Sequence, residues 1–180
     1  MMSRFYTGLG DSGYSSMLGK KIKKSDGVIE AIGNIDELNS FIGLAMACID
    51  DDRLSIALKS VQENLFIIGA ELSSVVNERF SPKHKISPVK VTELEKIIAD
   101  TASRLPDLNR FVLPGGSEAS AYLHVSRSIS RRAERSVIRI SSKLKNKSII
   151  PYLNRLSSLL FVSALYMNKK EGVDETNPSY

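Results

Sequence analysis

Two arginines and a glutamate recur at helical spacing in the segment LHVSRSISRRAERSVIRI. Arg127, Arg131 and Glu134 stand at i, i+4 and i+7, so a helix here carries all three on one face. Roughly opposite lies an apolar stripe predicted to face the core, which consists of Ile129, Ala133, Val137 and Ile140. Guanidinium groups bind phosphate oxygens in pairs, and a neighbouring carboxylate can orient an arginine or a ribose hydroxyl. The pattern indicates a grip on a phosphate-bearing ligand. A solvated, salt-bridged face and a helix lying on a nucleic-acid backbone are the alternatives.

A second candidate is the glycine-rich segment YTGLGDSGYSS near the N-terminus. It contains G-x-G-x-x-G at residues 8–13, but too few residues precede it for the strand that a dinucleotide-binding fold requires. Glycines still let backbone N–H groups turn toward an anion, so the loop could wrap a triphosphate. Ser15, Ser16 and the lysines within residues 20–24 would assist. A flexible tail is the alternative.

Three further groups carry polar or aromatic residues that chemistry could use. Asp36 lies near the start of a predicted helix, where the helix dipole alone accounts for a carboxylate. Phe111 begins FVLPGG, which also fits a loop anchored by a buried phenylalanine. Asn154 and Arg155 interrupt an apolar helix and need partners or a ligand if they are buried. No nucleophile–base motif is present, so an enzyme of this sequence would act by positioning its ligands.

Hydrophobic periodicity predicts five helices to position these residues. The chain has 180 residues, 42% hydrophobic and 25% charged, which is typical of a single folded domain. Apolar residues at helical spacing predict helices over about 28–50, 54–76, 89–103, 117–140 and 149–168. There is almost no strand signal. The predicted fold is an all-α five-helix bundle with a Gly/Ser-rich N-terminal loop, and the last helix, apolar on most sides, should be central.

We divide the chain into an N-terminal loop (1–27), one helical domain (28–170) and a loose C-terminal tail (171–180). No uninterrupted apolar run reaches the roughly 18 residues that span a bilayer. We expect a cytoplasmic protein with neither membrane nor nucleic acid as partner. The single cysteine, Cys48, excludes an internal disulfide, and its place in the apolar run GLAMACI predicts that it is buried. Neither histidine has metal-ligand spacing. The net charge of +5 suits phosphate-bearing ligands.

Taken together, four segments resemble the PduO-type ATP:cob(I)alamin adenosyltransferases. They are YTGLGDSGYSS, KKSDGVIEAIGNIDELNSFIGLA, FVLPGGSEASAYLHVSRSISRRAERSV and YLNRLSSLLFVSALYMN. Each is moderately specific alone, and their order and the chain length make the set highly specific. The family loop usually carries positive residues where this chain has Gly8, Leu9 and Ser12, which puts ATP affinity in question. Ala164-Leu165 also stands where the family often has Ala-Arg.

The resemblance implies a homotrimer with active sites between neighbouring subunits. It places Phe111 beneath the corrin, where it displaces the lower axial ligand, and it pairs Asp36 with Arg127 in a salt bridge across the interface. Arg131, Glu134 and Asn154 would meet ATP from the bundle. The N-terminal residues assigned to the ATP pocket are Thr7, Gly10, Asp11, Gly13, Ser15, Ser16 and Lys24.

The reaction that the resemblance implies is transfer of the 5′-deoxyadenosyl group of ATP to the cobalt of cob(I)alamin. The products are adenosylcobalamin and triphosphate, and Mg²⁺ would help to neutralise the leaving group. No protein ligand to Mg²⁺ is identified by the pattern. A corrinoid reductase and an adenosylcobalamin-dependent enzyme are the expected protein partners. A corrinoid- or ATP-binding protein that delivers or senses without turnover is the alternative function.

Overall fold

The computed structural model describes Tyr6 and residues 8–180. Within these residues it contains a short β-hairpin followed by five α-helices and one 3₁₀ turn. The five predicted helices are confirmed, each to within a few residues at its ends. In chain order the elements are β1 Tyr14–Met17, β2 Lys20–Lys23, α1 Gly27–Met46, α2 Asp52–Ser73, α3 Pro88–Ala102, α4 Glu118–Arg139, the 3₁₀ turn Ser141–Lys143 and α5 Ile149–Lys170.

The hairpin is a difference from the sequence prediction, which had only loop before α1. Strands β1 and β2 are antiparallel, with Tyr14 opposite Lys23 and Met17 opposite Lys20. Leu18 and Gly19, between the strands, both have positive φ, as a tight two-residue hairpin turn requires. The turn has Leu-Gly where a tight hairpin usually has Asn-Gly. Because leucine rarely adopts this left-handed conformation, the sequence pattern did not predict a hairpin here.

Side-chain caps explain where four of the helices begin. Asp26 accepts a hydrogen bond from the Val28 amide at 2.8 Å, and Asp51 accepts one from the Leu54 amide at 2.9 Å. Ser87 and Ser117 cap α3 and α4 in the same way. Each cap satisfies an amide that the helix itself cannot. The sequence is compatible with either Gly116 or Ser117 as the cap of α4, and the structure shows that it is Ser117, immediately after the Pro-Gly-Gly segment.

The core lies where α4 packs between α1 and α5, with α3 against α5 and α2 against α1. The predicted inward stripe of α4 is confirmed, since Ile129, Ala133, Val137 and Ile140 are all buried. The stripe determines which side of α4 faces outward. Cys48, expected to be buried, is half-buried at the edge of this core.

Helix α5, predicted to be the central helix, packs between α3 and α4, and the middle position in the bundle is taken by α4. By length and composition alone α5 could cross a bilayer, which the sequence prediction did not anticipate. However, 56% of its most apolar 18-residue stretch is buried inside the bundle. Tyr152, Leu153, Leu156 and Leu160 are fully buried. Packing within the bundle therefore accounts for its apolar character.

The C-terminal residues are not loose, contrary to the prediction for 171–180. The Leu113 amide donates to the Thr176 carbonyl at 2.8 Å, and the Asn177 side chain donates to the Phe111 carbonyl at 2.8 Å. These bonds attach the tail to the loop between α3 and α4. Hydrophobic periodicity contains no information on such pairing between two irregular segments.

Gly116 is the glycine with the strictest requirement, and it yields a stability prediction. Its φ is +103°, and an added Cβ would clash with the buried side chain of Asn168. We expect Gly116→Ala to lower the free energy of unfolding by about 3 kcal/mol, measured by urea denaturation.

Gly172→Ala is the matched control. Gly172 also has positive φ, +69°, but nothing lies within 4 Å of its added Cβ. It should lose only about 1–2 kcal/mol, the cost of the left-handed backbone alone. Equal losses in the two variants would refute the clash with Asn168.

Candidate functional site

A cleft of about 540 Å³ opens between the loop that precedes α4 and the facing sides of α4 and α5. One wall is apolar and the opposite wall carries arginines. Phe111 stands at this cleft with 83% of its surface exposed, so it does not anchor its loop in the core. The residues that line the cleft are Leu108, Arg110, Phe111, Val112, Pro114, His124, Arg127, Arg131, Ser157, Ser158, Phe161 and Val162.

The arginine wall is the outward face of α4. The Arg127 guanidinium lies 5.9 Å from the centre of the Phe161 ring, and its Nε is buried with no hydrogen-bond partner among the described residues. Arg131 is exposed one turn further along, as predicted from its position opposite the core stripe. Within the part of the chain that the structure describes, neither arginine forms an ion pair with a carboxylate.

Salt bridges do occur on α4, but on a different face. Arg132 pairs with Glu37, and Arg139 lies 3.0 Å from Glu30, both on α1. The solvated, salt-bridged alternative thus describes the side of α4 that faces α1. It does not describe Arg127 and Arg131, which remain available to a ligand.

Glu134 and Asn154, which the resemblance assigns to the ATP pocket, contact each other. The Asn154 amide donates to the Glu134 carboxylate at 3.0 Å, and its oxygen accepts from Arg155 at 2.9 Å. Arg155 in turn lies 2.8 Å from Glu95 on α3. Asn154 is exposed, so these surface contacts account for the polar residues Asn154 and Arg155 in the otherwise apolar helix α5. The same contacts hold the Glu134 carboxylate in a defined position.

The N-terminal candidates form a separate group. Lys24 donates its backbone amide to the Gly13 carbonyl at 2.9 Å, and its Nζ lies beside Gly10. Gly13 has φ +80°, which favours glycine. Asp11 and Ser16 are exposed on the same segment. Thr7 lies outside the described residues.

Ser15 lines a groove of about 430 Å³ on the outer side of α1 and α2, together with Asp36 and Asn39. Asp36 is exposed and, within the described residues, has no ion-pair partner. The Asn39 side-chain oxygen is buried without a partner in the same part of the chain. Of the predicted site residues, Phe111, Arg127 and Arg131 thus line the cleft at α4 and α5, whereas Ser15 and Asp36 line the groove along α1.

His124 is a cleft residue that the sequence analysis considered only as a metal ligand. It is 3% exposed, its ring lies 6.1 Å from that of Phe161, and neither ring nitrogen has a partner among the described residues. Burial, reinforced by the charge of Arg127, lowers the pKa of its imidazole. Its position three residues before Arg127 could have signalled a shared face. The described residues contain no group of three possible metal ligands.

Comparison with known proteins adds to this geometry. Residues 5–167 match the family described as Cobalamin adenosyltransferase. A corrinoid adenosyltransferase of Bacillus subtilis is 37% identical over 177 residues, which cover 96% of this chain and 90% of that protein. The PduO corrinoid adenosyltransferase of Salmonella typhimurium is 35% identical, and the match covers 88% of this chain and 48% of that longer protein.

The structural match is of the same kind. A variant of a PduO-type ATP:corrinoid adenosyltransferase from Lactobacillus reuteri, complexed with cobalamin and ATP, superposes with a TM-score of 0.90 at 32% identity. The match covers 98% of this chain and 100% of that one.

The buried imidazole predicts a pH dependence of stability. A histidine whose pKa is lowered by folding takes up its proton more readily when unfolded, so acid favours the unfolded state. The stabilisation from neutral His124 is present above the unfolded pKa of about 6.5 and is lost as the pH falls below it. We expect the wild type to lose more thermal stability between about pH 7.5 and about pH 5.5 than His124→Gln.

His84→Gln is the control, because it makes the same substitution at the other histidine, which is exposed. Melting temperatures across the pH series, measured by circular dichroism, test this. Parallel curves for the wild type and His124→Gln would show that His124 does not titrate on unfolding.

Proposed function

The chain belongs to the cobalamin adenosyltransferase family and is an ATP:corrinoid adenosyltransferase, and we propose that two neighbouring chains of a homotrimer complete each of its active sites. The family reaction transfers the 5′-deoxyadenosyl group of ATP to the cobalt of cob(I)alamin. Each predicted site residue must contribute to substrate binding or to catalysis in that reaction. The division of these residues into two groups on one chain is the observation that supports a shared site.

The unpartnered polar groups favour this arrangement. Arg127 in the cleft has a buried Nε without an acceptor, and Asp36 in the groove along α1 has no cationic partner within the described residues. An unsatisfied buried donor costs about 1–3 kcal/mol. A salt bridge between Arg127 of one chain and Asp36 of the next would remove that cost. It would also bring the N-terminal loop of one chain to the cleft of another.

ATP would then lie between these two surfaces. Arg131 is exposed and free of carboxylate partners in the described part of the chain, so it can bind the triphosphate oxygens. Glu134, held by Asn154, can accept a hydrogen bond from a ribose hydroxyl. From the neighbouring chain, the loop with Gly10, Asp11, Gly13, Ser15 and Ser16 would surround the phosphates.

The positive charge of the loop is supplied by Lys24 in this proposal. Gly8, Leu9 and Ser12 carry no positive charge, whereas the Lys24 ammonium lies beside Gly10 of the glycine-rich loop. The lysines of the hairpin are exposed and extend the positive surface, although Lys21 lies 4.5 Å from the Tyr14 ring centre. One lysine brought close by the hairpin can thus replace charges that the loop itself lacks.

The corrinoid fits the apolar side of the cleft. Phe111, with Val112, Phe161 and Val162 nearby, offers a surface suited to a flat macrocycle. A phenyl ring against the lower face of the corrin excludes both water and the axial ligand. Loss of that ligand lowers the energy of the orbital that accepts the electron, so reduction to Co(I) becomes easier. Exposure of Phe111 in the free protein leaves it available for this contact.

The residues of the chain then act by position and charge. Cob(I)alamin is a strong nucleophile, and its cobalt attacks C5′ of ATP while the bond to the triphosphate oxygen breaks. Phe111 and Glu134 hold the two substrates in line, and Arg131 neutralises the leaving triphosphate. Mg²⁺ prefers oxygen ligands and commonly binds substrate phosphates with few protein contacts, which suits a site without a cluster of acidic ligands among the described residues. It would supply further charge neutralisation.

The proposal also includes the cellular location of the protein and its protein partners. We propose that the protein works in the cytoplasm, where ATP is available, and that a corrinoid reductase supplies its Co(I) substrate. An adenosylcobalamin-dependent enzyme would receive the product. Co(I) is readily oxidised, so reduction close to the site of transfer would protect the intermediate.

Arg131 provides the test of the ATP assignment. We expect Arg131→Ala to lower kcat/KM by about 100-fold or more with folding intact, because it removes charge stabilisation from the leaving group without touching the core. The assay contains chemically reduced cob(I)alamin, ATP and Mg²⁺ without oxygen, and follows the visible spectrum to adenosylcobalamin together with triphosphate release.

Lys96→Ala removes the same charge from an exposed position on α3 and should stay within about twofold of the wild type. Full activity of Arg131→Ala would refute the triphosphate assignment. No conversion by the wild type, with corrinoid binding demonstrated, would favour the delivery or sensing function.

The shared site predicts a charge-swap result. Asp36→Arg would place two cations in contact at the interface, and we expect it to weaken trimer formation by about tenfold or more. Adding Arg127→Asp should restore the trimer by reversing the pair. Light scattering after size exclusion measures the mass of each variant. A wild type that stays monomeric at micromolar concentration, or a double variant no better than Asp36→Arg, would contradict the pairing.

A further inference from the structure

The loop that carries Phe111 needs an anchor outside itself. It follows α3, contains Pro106 and Pro114, and has no regular structure until α4 begins after Ser117. The Phe111 side chain is exposed and contributes no packing that would hold the loop. A ring that must meet a corrin at a defined height requires its backbone to be held, since an error of about 1 Å can cost a hundredfold in rate.

The C-terminal tail supplies that anchor by two hydrogen bonds. The Asn177 side-chain amide donates to the Phe111 carbonyl at 2.8 Å, directly at the residue in question. Two residues further along the loop, the Leu113 amide donates to the Thr176 carbonyl at 2.8 Å. The two bonds run in opposite directions between the segments, so they set both the spacing and the register of the loop against the tail.

Asn168, near the end of α5, ties the tail and the loop to the bundle. It is 1% exposed, and its oxygen accepts from the Ser117 amide at 2.9 Å. Its amide group donates to the Gly115 carbonyl at 3.2 Å and to Glu175 at 3.0 Å. One buried side chain thus connects α5, the start of α4, the Phe111 loop and the tail.

The tail is not packed against the bundle along its whole length. A cavity of about 440 Å³ lies between the tail and the bundle, lined by Leu105, Leu108 and Leu165 on one side and by Val173 and Glu175 on the other. Because the two surfaces are not fully packed together here, each hydrogen bond has a large share in positioning the loop.

We propose that Asn177 is a positioning residue for Phe111. The Thr176 carbonyl and the hydrogen bonds of Asn168 support it in this role. Asn177 acts through the Phe111 backbone and does not touch the corrin. The inference rests on the proposed role of Phe111 at the lower face of the corrinoid. It assigns a catalytic consequence to a tail that hydrophobic periodicity leaves without any role.

Asn177→Asp tests this with a nearly isosteric change that replaces the amide donor by a negatively charged carboxylate oxygen, at an exposed position where folding is not at risk. Two signals are measured on the full chain. The first is hydrogen exchange in the peptide that contains residues 110–116. The second is the fraction of four-coordinate Co(II) in a mixture of protein, ATP and cob(II)alamin, read from its electron paramagnetic resonance spectrum. Ser179→Ala, an exposed change in the same tail, is the matched control, and Phe111→Ala is the reference for lost function.

We expect Asn177→Asp to speed exchange in residues 110–116 by about threefold to tenfold, the range for one net hydrogen bond. We expect the four-coordinate fraction to fall several-fold, while the KM for ATP and the melting temperature stay at wild-type values. Ser179→Ala should change none of these quantities. A variant that was merely less stable would lose corrinoid coordination and ATP binding together.

Unchanged exchange in Asn177→Asp would overturn the inference, as would faster exchange with a wild-type four-coordinate fraction. In both cases Phe111→Ala tells the two proposals apart. If Phe111→Ala lowers the four-coordinate fraction and Asn177→Asp does not, the role of Phe111 stands and the positioning by Asn177 fails. If Phe111→Ala leaves the fraction unchanged, the proposed role of Phe111 fails, and the inference that depends on it fails too.

Discussion

Burial of one face of α4 is the constraint on which the rest of the structure depends. Ile129, Ala133 and Val137 are almost fully excluded from solvent between α1 and α5. A helix with one side held in this way cannot rotate without exposing that side, and the apolar area involved makes rotation costly. Arg127 and Arg131 must therefore face the cleft. The direction of the charges follows from hydrophobic packing, because neither arginine forms an ion pair within the described chain.

The cleft retains polar groups that the isolated chain does not satisfy. His124 has two buried ring nitrogens without partners among the described residues, and Arg127 has a buried Nε in the same state. Each such group lowers stability by about 1–3 kcal/mol. A core built for stability alone would replace them with apolar side chains. Their presence beside Phe161 fits a surface that becomes complete only with a ligand or a second chain.

The family match and the local contacts of this chain account for different properties of the protein. The family match covers nearly the whole bundle and accounts for the reaction class. It leaves open how this chain manages without the usual positive residues at Gly8, Leu9 and Ser12. The hairpin brings Lys24 beside the glycine-rich loop, and this contact is the basis for the compensation that we propose. Charge lost at one position in sequence can be regained in space from a residue more than ten positions away.

The sequence by itself determined the five helices, the start of α4 at Gly116 or Ser117 and the outward direction of Arg131, because helical periodicity and capping depend on residues within a few positions of one another. Its ordered motifs also identified the family. Only the tertiary structure decided the hairpin at Leu18, the exposure of Phe111 and the attachment of the tail through Asn168 and Asn177. These features depend on an unusual backbone angle or on contacts between residues far apart in sequence, and no local pattern encodes them.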